Sequence, residues 1–133
     1  MNIQSSSFAV LALPALLAGC ISTGQSSSIG IPTWTSNAPV SERVYLTAAA
    51  TGDLTLDGKC LRLKGKLAPV TVIWPTGTYL RANKVVVRAD GSQIAKVGNP
   101  VSLSGAIAQN TNDLSIAWAG AQECPGPYFL ANP

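Results

Sequence analysis

The side chains able to do acid–base or nucleophilic chemistry are few in this 133-residue chain: six Asp and Glu, three Cys, the serines, and no histidine. Without imidazole there is no Ser-His-Asp or Cys-His nucleophile system, no histidine metal site and none of the commonest general acid–base group. Carboxylates must then supply any acid–base pair. Asp57 and Asp90 stand in Asp-Gly steps, where aspartate serves turn geometry, and Asp53, Asp113 and Glu42 read as solvated or turn residues. On one strand Asp53 and Asp57 would lie about 13 Å apart at ~3.3 Å per residue, beyond the ~5–9.5 Å carboxylate separations of glycoside hydrolysis. Glu123, beside Cys124, is the one acid that no turn explains. Ser102 and Ser104 lack a base, and no phosphate loop, G-x-S-x-G elbow or EF-hand spacing occurs. No catalytic residue is assigned, and the chain is not expected to be an enzyme.

Binding chemistry has more candidates. Arg62, Lys64 and Lys66 recur at every second position, on a strand face opposite Leu61 and Leu63. Lys84, Arg88 and Lys96 would extend them into a patch for an anionic ligand; the plainer reading is the wet face of a half-buried hairpin. Trp74, Trp118 and Tyr79 could stack on sugar rings. Trp74 ends an apolar run and Trp118 alternates with Ile116, which favours core packing for both. Tyr79, beside a Pro-Thr-Gly turn, is the better exposed candidate. Arg62, Lys64, Lys66 and Tyr79 are therefore the candidate ligand-binding residues. A net charge of +3 is too small to expect nucleic acid as the partner.

The elements that must position these residues read as β structure. Charged residues make up only 11 % of the chain against 47 % apolar, and the length favours one domain. Val44, Leu46, Ala48 and Ala50 alternate, and Leu54 and Leu56 lead through Asp57-Gly58 to Leu61 and Leu63. That hairpin predicts Leu54 facing Leu61, with all four leucines on one face. Residues 70–74 form a fuller apolar run, expected as a central strand. Residues 85–87 and 94–97 flank Asp90-Gly91, a second hairpin, and residues 101–104 and 114–118 alternate again. No window carries a 3.6-residue apolar stripe of helical length. Six or seven short strands predict an all-β fold, either a small antiparallel barrel or a sandwich. The phrase from Ile94 to Gly105 resembles a glycine-bounded strand recurving into an OB-like barrel, and closure would remove exposed edges from a chain with few charges.

The N-terminus carries the most specific motif. Residues 8–19 are an apolar run of about 18 Å as a helix, short of the ~30 Å hydrocarbon core, and their length suits the h-region of a signal peptide. Leu17-Ala18-Gly19-Cys20 resembles the lipobox of bacterial lipoproteins. The resemblance implies removal of residues 1–19 and lipidation of Cys20, with several acyl chains giving a stable membrane anchor. Ile21, where aspartate would signal inner-membrane retention, implies the outer membrane, facing the periplasm. Residues 20–40, rich in Ser, Thr, Gly and Pro, are expected as a flexible linker, with Trp34 docked on the domain or set at the membrane interface. Residues 41–133 are expected as the β domain.

With Cys20 lipidated, Cys60 and Cys124 remain as a pair in an oxidising compartment, and a disulfide between them is expected. Closing a loop of about 65 residues is worth ~4 kcal/mol in the chain-entropy model. It would pin the Pro-Gly-rich tail to the first hairpin. The rival is a redox pair, with Lys59 and Arg62 favouring the Cys60 thiolate, though the spacing is far from C-x-x-C. Two thiolates without histidine leave a zinc site incomplete, so no metal is expected, and no cofactor beyond the covalent lipid. The expected partners are the membrane, through the anchor, and an envelope protein or anionic envelope polymer.

Overall fold

The computed structural model describes residues 28–37, 47–66, 69–110 and 116–133. The signal segment, Cys20, Glu42, Val44, Leu46, Asp113 and Leu114 lie outside the described residues. Two short strands come first, β1 (Ser28–Ile29) and β2 (Thr33–Ser36). Both fall within the expected linker and both are paired, so the linker expectation fails over this stretch. Ile31 and Pro32 are buried, and Trp34 Nε1 donates to the Ala131 carbonyl at 3.0 Å. Averaged composition hid these three residues among Ser, Thr and Gly.

The Asp57-Gly58 signal does make a hairpin, between β3 (Ala48–Asp57) and β4 (Cys60–Lys64). Its register differs from the expected one: Leu54 faces Leu63 and Leu56 faces Leu61. The turn residues are Gly58 and Lys59 rather than Asp57 and Gly58, and Gly58, with φ 61°, takes the first loop position, where a type II′ turn wants glycine. All four leucines still share one face, because a shift of two residues preserves side-chain parity.

The apolar run 70–74 becomes β5 (Val70–Pro75), with Thr71 to Trp74 buried on both faces. After it, β6 (Tyr79–Arg81), β7 (Val85–Val87) and β8 (Gln93–Lys96) form a small antiparallel sheet, to whose edge β1 adds. The chain returns through β9 (Pro100–Ala108), β10 (Ile116–Ala119) and, after a 3₁₀ turn at Ala121–Glu123, β11 (Tyr128–Ala131). Around the barrel the order is β3-β4-β5-β11-β9 and back to β3, so five strands close on themselves. The fold is all-β, a small OB-like barrel, and the β4–β5 pairing that closes it excludes the sandwich. The barrel is not wholly antiparallel. β11 runs parallel to β5, as does β2 in an extension of the same sheet, because the small sheet carries the chain across before β9.

The tail expected to depend on the disulfide is itself a barrel strand: β11 pairs with β5 on one side and β9 on the other. The Thr71 hydroxyl and amide donate to the Pro125 and Pro127 carbonyls, and the Tyr128 hydroxyl donates to the Cys124 carbonyl at 2.9 Å. Close approach of β9 and β11 requires Gly105, where a Cβ would overlap the Leu130 carbonyl oxygen. Leu54, Leu61, Val72, Trp74, Leu103 and Phe129 fill the interior, joined by Leu80 and Val86 of the small sheet.

Candidate functional site

The disulfide lies on the outer wall. Cys60 and Cys124 are bonded, with Cα atoms 5.6 Å apart and both residues buried. Glu123, the acid without a turn, pairs with Lys59 beside this bond. Such enclosure suits a brace rather than an exchanging thiol pair. The other acids described are equally local. Asp53 stands opposite Lys64, and Asp90 Oδ1 accepts from the Ser92 hydroxyl at 2.6 Å and the Ser92 amide at 2.8 Å. Those two bonds, the hydroxyl first, with help from the Arg88 charge, hold the Asp90 carboxyl below its usual value. Ser102 accepts from the Thr51 hydroxyl at 3.0 Å, and Ser104 Oγ from the Asn132 amide at 3.3 Å.

The basic row is only partly a row. Arg62 and Lys64 share the outer face of β4, but Arg62 Nη2 donates to the Pro69 carbonyl at 3.0 Å, bracing the β4–β5 connection. Lys66 lies past the strand end, exposed. Lys84, Arg88 and Lys96 belong to the small sheet and its turns, with Lys96 opposite Val85 and Arg88 beside Asp90. Tyr79 is half-buried on β6, opposite Val87. Trp74 is fully enclosed and Trp118 packs edge-on against Tyr128 at 5.9 Å, so both serve the core. The structure therefore gathers Arg62, Lys64 and Lys66 at one stretch of the barrel wall and places Tyr79 elsewhere.

What sequence reasoning missed is the mouth of the barrel. The barrel strands alternate inward and outward, and near one end their inward rows bring together Ala50, Leu63, Val70, Ile107 and Phe129. These residues line a cleft of ≈ 440 Å³. Small side chains at Ala49 and Ala50 leave the space that a leucine would fill. Ile107 points into it while 53 % exposed, although Leu103 and Gly105 on the same face are buried. Among the described residues Lys66 is the one charged member of the lining. Gly65 lets the end of β4 cross the start of β3, since a Cβ there would strike the Thr51 carbonyl oxygen. The available signal was the parity of residues 101–107, which marks Ile107 as inward.

A second, polar cleft of ≈ 330 Å³ lies where β8 meets β9, lined in part by Arg88, Gln93, Ser102 and Ser104. Among the described residues no cluster of three or more His, Cys, Asp or Glu could hold a metal, and no helix is long and apolar enough to cross a membrane. Comparison with protein-family models, with curated proteins and with solved structures gave no match. What the mouth can bind must therefore be read from its own chemistry.

Proposed function

We propose that this chain is a lipid-anchored bacterial envelope protein whose barrel is a non-enzymatic binding module with its site at the open mouth. The observation that carries this reading is the cleft: five strands each bring an apolar inward residue to it, and among the described residues its lining holds neither a carboxylate nor a cysteine. Its volume of ≈ 440 Å³ falls in the ~300–1,000 Å³ range of small-molecule sites, which are mostly apolar with few polar groups. The lipobox-like Leu17-Ala18-Gly19-Cys20 supports acylation of Cys20, and the bonded Cys60–Cys124 pair suits an oxidising compartment such as the periplasm. Ile21 after the lipidated cysteine supports the outer membrane. Of the basic residues, only Lys66 adjoins the cleft, so a ligand bound through the whole β4 face is the lesser reading.

Two measurements test the proposal. Intact mass of the membrane-extracted protein is expected to show a chain that begins at Cys20 and carries acyl groups. An anilinonaphthalene sulfonate dye is expected to brighten on the folded, oxidised protein and to lose that response in Ala50→Trp. A mature chain without fatty groups contradicts the anchor, and a dark dye on folded protein contradicts the site.

A further inference from the structure

The reading of the mouth as a binding site leaves the class of ligand open, and the lining narrows it. A bound peptide would bring amide groups that need partners, and each left unpaired in an apolar cleft weakens binding. The mouth has little to offer them. Among the described residues the pairings leave only short free stretches of strand at the mouth: β3 meets β4 from Asp53 onward, β9 meets β3 up to Gly105, and Gly65 packs against Thr51. The one side-chain hydroxyl in the lining, that of Thr51, is engaged with Ser102. An alkyl chain carries no amides and asks only for apolar contact. Ala50, Leu63, Val70, Ile107 and Phe129 provide it, with Phe129 at the closed base and Ile107 half-exposed at the rim.

The charge at the rim settles the head group. Lys66 is exposed, borders the cleft and has no ion-pair partner among the described residues, whereas Lys64 lies outside the lining and Arg62 holds the Pro69 carbonyl. Among the described residues no acid contributes to the lining. A single unbalanced cation beside an apolar cleft complements a ligand with one negative end and one greasy end. The ≈ 440 Å³ cleft lies at the lower end of the ~300–1,000 Å³ range of small-molecule sites, a size that suits one medium-length chain.

We infer that the barrel mouth binds a free single-chain carboxylate amphiphile, with the alkyl chain in the cleft and the carboxylate against the Lys66 ammonium. This rests on the proposed binding role and deepens it by naming the ligand class.

The test uses the full chain carrying Cys20→Ala, which is free of acyl groups and detergent, with octanoate, decanoate and decanol as probes at pH 7. Decanoate is expected to bind tighter than octanoate, by about fourfold for each added methylene until the cleft is full. Lys66→Gln is expected to weaken decanoate by about three- to fivefold, the worth of one exposed ion pair, and to leave decanol unchanged. Ala50→Trp fills the cleft and is expected to abolish binding of both. Should that variant lose its native near-ultraviolet dichroism, Ile107→Asp at the rim replaces it, and is expected to repel decanoate selectively. Equal weakening of acid and alcohol by Lys66→Gln overturns the assigned head group. Retention on phosphatidylglycerol vesicles without decanoate binding overturns the free amphiphile in favour of a membrane surface. Loss of every alkyl probe while the sulfonate dye still brightens overturns the ligand class and leaves the binding module standing; a dark dye as well removes both.

Discussion

At one end of the barrel the inward rows finish on Leu61, Trp74 and Val101, and Leu80 and Val86 of the small sheet join the same core. Near the other end equivalent rows bring together Ala50, Ile107 and Phe129, where no second sheet among the described residues completes the core. Side-chain type alone does not separate the ends, since isoleucine and phenylalanine are as apolar as leucine and tryptophan. What separates them is the layer above. The chain uses 24 residues between β5 and β9 to build a cover for one end, and the covered rows become core. The rows left uncovered by the described residues form a concave apolar surface, a feature rarely left open without a use.

Breaking the covered end should cost most. Trp74→Ala empties an enclosed indole site and is expected to destabilise the domain by about 3–5 kcal/mol, read as the shift of a urea midpoint. Next comes the brace on the outer wall. Replacing Cys60 and Cys124 together by alanine is expected to lose about 2–4 kcal/mol, with the fold recovered at low temperature because β11 remains paired on both sides. At the open end the same experiment should look different. Ile107→Ser is expected to change the midpoint by no more than about 0.5 kcal/mol, as for a surface position, while suppressing the dye response. A loss as large as that at Trp74 would mean that the mouth is core after all.

The smallest effect belongs to the turn of the covering sheet. The Asp90 carboxyl is held below its usual value of 3.8 by Ser92 and Arg88. Its contribution is therefore present above about pH 3.8 and lost as the pH falls through its lower folded value. Asp90→Asn is expected to remove that pH-dependent increment, seen as convergence of the native and variant melting temperatures in acid. The side chain is fully exposed, so the increment is small.

Local chemistry made much of this fold legible. Alternation found β3, β4, β8 and β9, the Asp-Gly steps found both hairpins, and the unbroken apolar run found β5. The resemblance to an OB-like barrel pointed to the closed form, and pairing the cysteines left by the lipobox reading found the brace. The failures share a cause, which is order supplied by partners distant in the chain. β2 rests on β5 and β10, and β11, only four residues long and preceded by Pro125-Gly126-Pro127, is a strand because β5 and β9 flank it. The mouth was invisible for the same reason. Ala50, Leu63, Val70, Ile107 and Phe129 are unremarkable apart, and only the register around the barrel brings them to one rim. Arg62, Lys64 and Lys66 were found by period two, yet period two could not show that β4 ends at Lys64 and leaves Lys66 to turn toward the cleft.

The central claim is that the uncovered end of the barrel is the binding end. Methyl-resolved NMR of the full chain during titration with decanoate tests it most directly, because Leu, Val and Ile report from both ends at once. The account predicts shifts at Leu63, Val70 and Ile107 with Leu80 and Val86 unmoved. Shifts confined to Leu80 and Val86, or spread evenly through both groups, would contradict it.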